Sequence, residues 1–218
     1  MERTVEHAYR VRKERRPFKL REFLTKQGIW WNSMLYFVPQ LPVKNRYQSW
    51  ILKEIIKYTN IPYTIVCKRS RAVRERTNYF TNEKEAVKYE LKQVKFLHEN
   101  VKEGDKVLWM DIDFPGFSVP EMFFIKKRGA KNFGIVHGAY FNMGDVWHGL
   151  EERREYMISA INLCEKVFVG SETFRDELIS RLNVDQSKIV YTGLPFRLDY
   201  MIRKFNRSSK VNIIAIKG

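Results

Sequence analysis

Residues 106–137 read KVLWMDIDFPGFSVPEMFFIKKRGAKNFGIVH, and this stretch decides the fold class. Lys106 to Ile112 carries Val107, Leu108, Trp109 and Met110 in succession, without the apolar–polar alternation of a strand that has one wet face. Pro115 and Gly116 break the chain, a helix is predicted from Ser118 or Pro120 to Arg128, and Gly129 supplies its C-terminal stop. Asn132 to His137 is a second apolar run of strand length. Strands that do not alternate are buried on both faces, and two of them joined by a helix form a parallel β-α-β unit.

The same unit recurs in both directions. Upstream, the run from Ile29 to Val38 ends at Pro39 and reads as a buried strand. A helix follows from near Ser49, with Trp50, Ile51, Ile55 and Ile56 on one face, and Asn60 and Pro62 end it. Tyr63 to Cys67 is a β-branched strand, Lys68 to Asn82 a basic exposed loop, and Glu83 to about Val101 a helix. Downstream come a helix from about Leu150 to Leu163 and a strand from Lys166 to Gly170. Ser171 caps a helix through Leu182, and Lys188 to Thr192 is a last short strand. Strands alternating with helices throughout give an α/β protein, a Rossmann-like doubly wound parallel sheet with helices on both faces.

This fold is expected over residues 29–196, preceded by a basic arm or surface helix over 1–28. Residues 197–218 are expected to be a linker and the first strand of a further, C-terminal domain, because Val211 to Ile216 starts a fresh apolar run. At 218 residues and 44% hydrophobic composition the chain holds one sizeable core. No stretch reaches the about 18 consecutive apolar residues of a membrane-spanning helix, and Met1 to Arg16 has no apolar signal region. A cytoplasmic location, or a peripheral one at a membrane, is therefore expected, with Cys67 and Cys164 as reduced, packed thiols.

The net charge is +15, and it is unevenly placed: residues 1–76 hold 18 of the 40 basic and only 6 of the 25 acidic side chains. Clustered cations raise the local concentration of anions. Lys44, Arg46, Arg69 and Arg71, near predicted strand ends, are accordingly expected to gather an anionic partner, a phosphate or a membrane surface.

Several chemistries are excluded. There is no Gly-x-Gly-x-x-Gly after the first strand, no P-loop, no zinc spacing among the four His and two Cys, and no Gly-x-Ser-x-Gly elbow. What remains clusters at strand ends. His137 closes a predicted parallel strand, the edge where open α/β sheets bind ligands, and Gly138 follows it. A general base or phosphate partner is expected there, the alternative being a histidine that bonds a loop carbonyl. Asp111 and Asp113 could share a divalent cation, but a loop-capping role is preferred and no metal is expected. Ser171 and Glu172 open a helix whose free amides favour an anion, with N-capping as the first reading.

The segment Cys164-Glu165-Lys166-Val167-Phe168-Val169-Gly170-Ser171-Glu172-Thr173-Phe174, then Asp176-Glu177-Leu178, then Lys188-Ile189-Val190-Tyr191-Thr192-Gly193-Leu194-Pro195, resembles the end of the N-terminal domain of GT-B glycosyltransferases. Val136-His137-Gly138 is similar to that family's strand ending in His near the interdomain cleft. The resemblance spans about residues 104–218, and residues 29–103 share only its topology. One departure is Phe37-Val38-Pro39-Gln40-Leu41-Pro42, where many members carry a glycine-rich turn.

The resemblance implies the acceptor-binding half of a glycosyltransferase, with a nucleotide-sugar donor held mainly by a C-terminal domain or a partner chain. It implies no tightly bound cofactor. His137 would orient or deprotonate the acceptor hydroxyl or touch the donor phosphate, with Asp113 or Asp145 as alternative bases, and Arg46, Arg69, Gly138, Tyr140, Ser171 and Glu172 would bind the acceptor or a phosphate. Two rival readings are a nucleic-acid-binding protein, drawn from the basic N-terminal third and its aromatics, and a peripheral membrane module in which Phe18 to Trp31 lies in the interface.

Overall fold

A computed structural model describes residues 33–40, 48–57, 59, 61–67, 83–112, 118–143, 145 and 147–193. Six strands alternate with five helices among these residues. They are β1 (Leu35–Val38), α1 (Gln48–Lys57), β2 (Tyr63–Ile65), α2 (Glu83–Asn100), β3 (Lys106–Trp109), α3 (Val119–Lys127), β4 (Lys131–Val136), α4 (Glu152–Leu163), β5 (Cys164–Val169), α5 (Glu172–Leu182) and β6 (Ile189–Tyr191). The arm expected over 1–28 and the linker and strand expected over 197–218 lie outside the described residues.

All strands run parallel in the order β2-β1-β3-β4-β5-β6, which is the doubly wound α/β architecture. Right-handed crossovers put α1 on one face of this sheet and α2 to α5 on the other, and the two cores agree. Leu35, Phe37, Leu108, Met110, Phe133, Ile135 and Phe168 meet Ile51 and Ile55 of α1. Tyr36, Val38, Val107, Trp109, Val136 and Val167 meet Leu97 of α2, Met122 and Ile125 of α3, Met157 and Ile161 of α4, and Leu178 and Leu182 of α5. Successive strand residues therefore feed opposite cores, which is why the strands read as unbroken apolar runs.

Two polar side chains inside the fold tie elements together. Asn132, 1% exposed, accepts from Trp109 Nε1 at 3.0 Å and donates to the Met122 carbonyl at 2.7 Å, so one amide links β3, β4 and α3. The buried Asp105 carboxylate accepts the amides of Met34 and Lys102, each at 2.8 Å, and fixes the turn ahead of β3 against the start of β1. In the middle of β4 a glycine is required: a Cβ at Gly134 would run into Ile112 and lie 3.3 Å from Cys164 Sγ.

Element limits differ from the sequence reading in instructive ways. β5 begins at Cys164, directly after α4, because Cys164 already adopts extended backbone. β3 ends at Trp109, although Met110 and Ile112 still donate to Val38 and Ile135 carbonyls across the sheet. β6 is preceded by a short 3-10 turn, Gln186–Lys188, which the Asp185 carboxylate caps through the Ser187 amide at 2.8 Å. Cys67 and Cys164 are both free thiols, and burial pushes the Cys164 thiol up.

Candidate functional site at the C-terminal edge of the sheet

The chain leaves β1 toward β2 on one side and returns to β3 on the other, so the strand order reverses between β1 and β3. Ligands of open parallel sheets bind outside the carboxyl ends of the strands at such a switch point. Two side chains meet there: the Gln40 amide, just after β1, donates to the Asp111 carboxylate, just after β3. The Pro39 carbonyl is held by Gln93 Nε2 of α2 at 2.7 Å. Gln40 Oε1 is buried with no hydrogen-bond partner among the described residues.

The sequence marks Gln40 only as part of the Phe37–Pro42 departure from a glycine-rich turn, and Asp111 as a loop-capping aspartate first and half of a cation pair second. The signal for both is a polar residue right after an apolar strand run, which becomes informative once the strand order is known.

His137 stands one strand over, at the end of β4. Its Nε2 lies 3.0 Å from the Met110 carbonyl oxygen, which only accepts, so Nε2 carries the proton and Nδ1 is the lone-pair nitrogen. Burial pushes the imidazolium pKa from 6.5 down to about 4, against the opposing pull of that hydrogen bond. The ring is therefore neutral at physiological pH. The bond to a main-chain carbonyl is the feature that the alternative, structural reading of this residue required.

After β4 the chain folds back on itself. The amide of Asn142 donates to Ala139, that of Asp145 to Asn142, that of His148 to Asp145, and that of Gly149 returns to Tyr140 at 2.9 Å. Asp145 Oδ1 accepts the Trp147 amide at 3.0 Å, and Oδ2 rests against Gly138, where any Cβ would collide with it. The group that approaches the Gly138 backbone is thus the chain's own Asp145 carboxylate. Tyr140 is buried edge-on to Phe141, and Phe141 in turn faces Phe174 and the Arg181 guanidinium of α5. Arg153 of α4 lies 4.3 Å from the Trp147 ring centre and 4.4 Å from that of Tyr156, so cation–π contacts join the loop to α4.

His137, Gly138, Tyr140 and Asp145 thus share the end of β4 and its loop. Ser171 and Glu172 stand at the end of the next strand, β5. Ser171 Oγ accepts the Phe174 amide at 3.1 Å and so caps α5, and Glu172 is exposed in the first turn. Asp113, Arg46 and Arg69, with Lys44 and Arg71, lie outside the described residues. Among the described residues no three His, Cys, Asp or Glu side chains are grouped to hold a metal ion, and no helix is long and apolar enough to cross a membrane.

Fold and edge together define a doubly wound α/β protein whose polar side chains converge on the carboxyl ends of β1, β3 and β4. In comparisons with known proteins, no family model matches the chain and no curated protein matches it in sequence.

Proposed function

We propose that this chain is the acceptor-binding half of a GT-B-type glycosyltransferase, which moves a sugar from a nucleotide-sugar onto an acceptor hydroxyl. The observation that carries the reading is the position of His137: it ends β4 at the sheet's carboxyl edge, next to the β1/β3 switch point. The element order on either side is the one the resemblance implies.

In this reading the neutral His137 ring meets the acceptor hydroxyl with its lone-pair nitrogen. A base whose conjugate acid titrates near pH 4 orients the hydroxyl in the ground state and takes its proton only as attack on the sugar proceeds. The hydrogen bond to Met110 holds the ring in that tautomer. Asp145 or Asp113 would serve as the base if the ring only positions. The nucleotide-sugar is a substrate held by a C-terminal domain or a partner chain, no divalent metal is invoked, and Arg46 and Arg69 would draw in an anionic or membrane-associated acceptor.

The test is sugar transfer by the complete enzyme, with its donor-binding domain or partner present. His137→Ala is expected to abolish transfer and leave the fold intact; near-normal turnover would overturn the assignment. The second reading, a nucleic-acid- or membrane-surface-binding module without catalysis of its own, draws on the charge of residues 1–76. It would be upheld by strongly salt-dependent binding together with absence of transfer under every donor tried.

A further inference from the structure

Large apolar side chains stand in water on the helical layer opposite α1. Phe123 and Phe124 of α3 are 54% and 44% exposed, and Leu91 of α2 is 53% exposed. They belong to one surface. Glu121, Met122 and Ile125 turn α3 inward, which leaves Phe123, Phe124 and Lys127 on its outer side. His98 of α2 lies edge-on to Phe124 at 5.9 Å, and Arg128, just after α3, donates to the His98 carbonyl at 2.8 Å, so the two helices adjoin there. Leu91 lies two helical turns from His98 on the same side of α2.

Cations border this apolar strip. Lys84, Lys88 and Lys95 flank Leu91 at helical spacings of seven, three and four residues, and Lys127 follows Phe123 by one turn on the outer side of α3; all four are exposed. Of the acidic groups nearby, Glu121 is buried against His98 and Glu85 pairs with Lys88 at 3.3 Å, which offsets that lysine, while Glu99 and Glu103 are exposed; the lysines Lys84, Lys95 and Lys127 carry the positive border. On the next helix the character changes, since α4 opens with exposed Glu152 and Glu155.

We propose that the outer face of α2 and α3 docks on an anionic lipid surface, with Phe123 and Phe124 entering the headgroup boundary and the lysines meeting lipid phosphates. Charge complementarity selects this occupant. The cores of protein–protein interfaces are depleted in lysine, whereas interfacial membrane helices combine Phe or Leu with lysines around them. Nucleic acid would use exposed aromatics as stacking platforms, a role Leu91 does not fill. The proposal does not depend on the glycosyltransferase reading, and it places the membrane contact on described helices rather than on Phe18 to Trp31.

The experiment is co-sedimentation of the full chain with vesicles of phosphatidylcholine alone and with vesicles in which about a third of the lipid is phosphatidylglycerol. Wild type is expected to bind the anionic vesicles and not the neutral ones. The Phe123→Ser/Phe124→Ser variant should lose about tenfold in partition coefficient with an unchanged near-UV CD spectrum. Lys95→Glu/Lys127→Glu should lose a similar factor and flatten the salt dependence.

Wild-type binding to neither vesicle overturns the proposal. So does wild-type-like binding by both variants, which would assign the contact to the cations of residues 1–76. A self-association or an RNA affinity that both variants lose while vesicle binding persists would give the face to a second copy or to nucleic acid, and would overturn it equally.

Discussion

The Asp145 carboxylate is wedged between two stretches of backbone: one oxygen fills the space a Cβ on Gly138 would take, and the other accepts the Trp147 amide. This single side chain locks the loop after β4 onto the end of the strand that carries His137. Gly138→Ala is expected to push the carboxylate away and to cost about 1–3 kcal/mol, read as a lowered denaturation midpoint. Asp145→Ala in the same chain should relieve much of that cost, so a double-mutant cycle should show coupling of about 1 kcal/mol or more; simple additivity would mean the loop adapts without the wedge.

His137 predicts a pH dependence of stability. The unfolded ring takes up a proton near pH 6.5 and the folded one only near pH 4. Between those values the unfolded chain binds more protons, so stability is fully present above pH 6.5 and falls as the pH drops toward 4. The loss amounts to at most about 3 kcal/mol. Urea titrations of wild type and His137→Gln across this range should diverge on the acid side, the variant having the flatter profile.

Asn132 predicts the cost of a core amide. Its removal in Asn132→Ala leaves the Trp109 indole N–H and the Met122 carbonyl buried without their partner. Thermal or urea unfolding should show a loss of about 2–4 kcal/mol. A loss under about 1 kcal/mol would mean that water replaces the amide.

The Gln40–Asp111 contact predicts an effect on the acceptor under the proposed function. Asp111→Ala in the complete enzyme should lower kcat/KM by about tenfold, and adding Gln40→Ala should cost little more, because the two side chains act as one unit. Independent, multiplying effects would show that the switch point is not one subsite.

Much of the architecture is local in origin. The apolar runs at Leu35–Val38 and Lys131–Val136, the helical spacing within Glu83–Asn100 and the Ser171 cap follow from short-range sterics and periodicity, so the sequence determined the number, order and type of these elements and that the strands run parallel. Their ends were less legible. Whether β3 stops at Trp109, or β5 starts at Cys164, depends on which neighbouring strand offers a hydrogen-bond partner at that position.

Tertiary structure alone decided the strand order, and with it the site. Gln40 and Asp111 are 71 residues apart and meet only because β1 and β3 are neighbours. His137 reaches Met110 across 27 residues for the analogous reason at β3 and β4. Its pKa is set by desolvation, a property of everything packed around the ring and of no residue beside it in the chain. The sequence by itself determined that His137 and Gly138 end a buried strand; that the ring is neutral and bonded to Met110, and that Asp145 fills the space beside Gly138, are products of long-range packing.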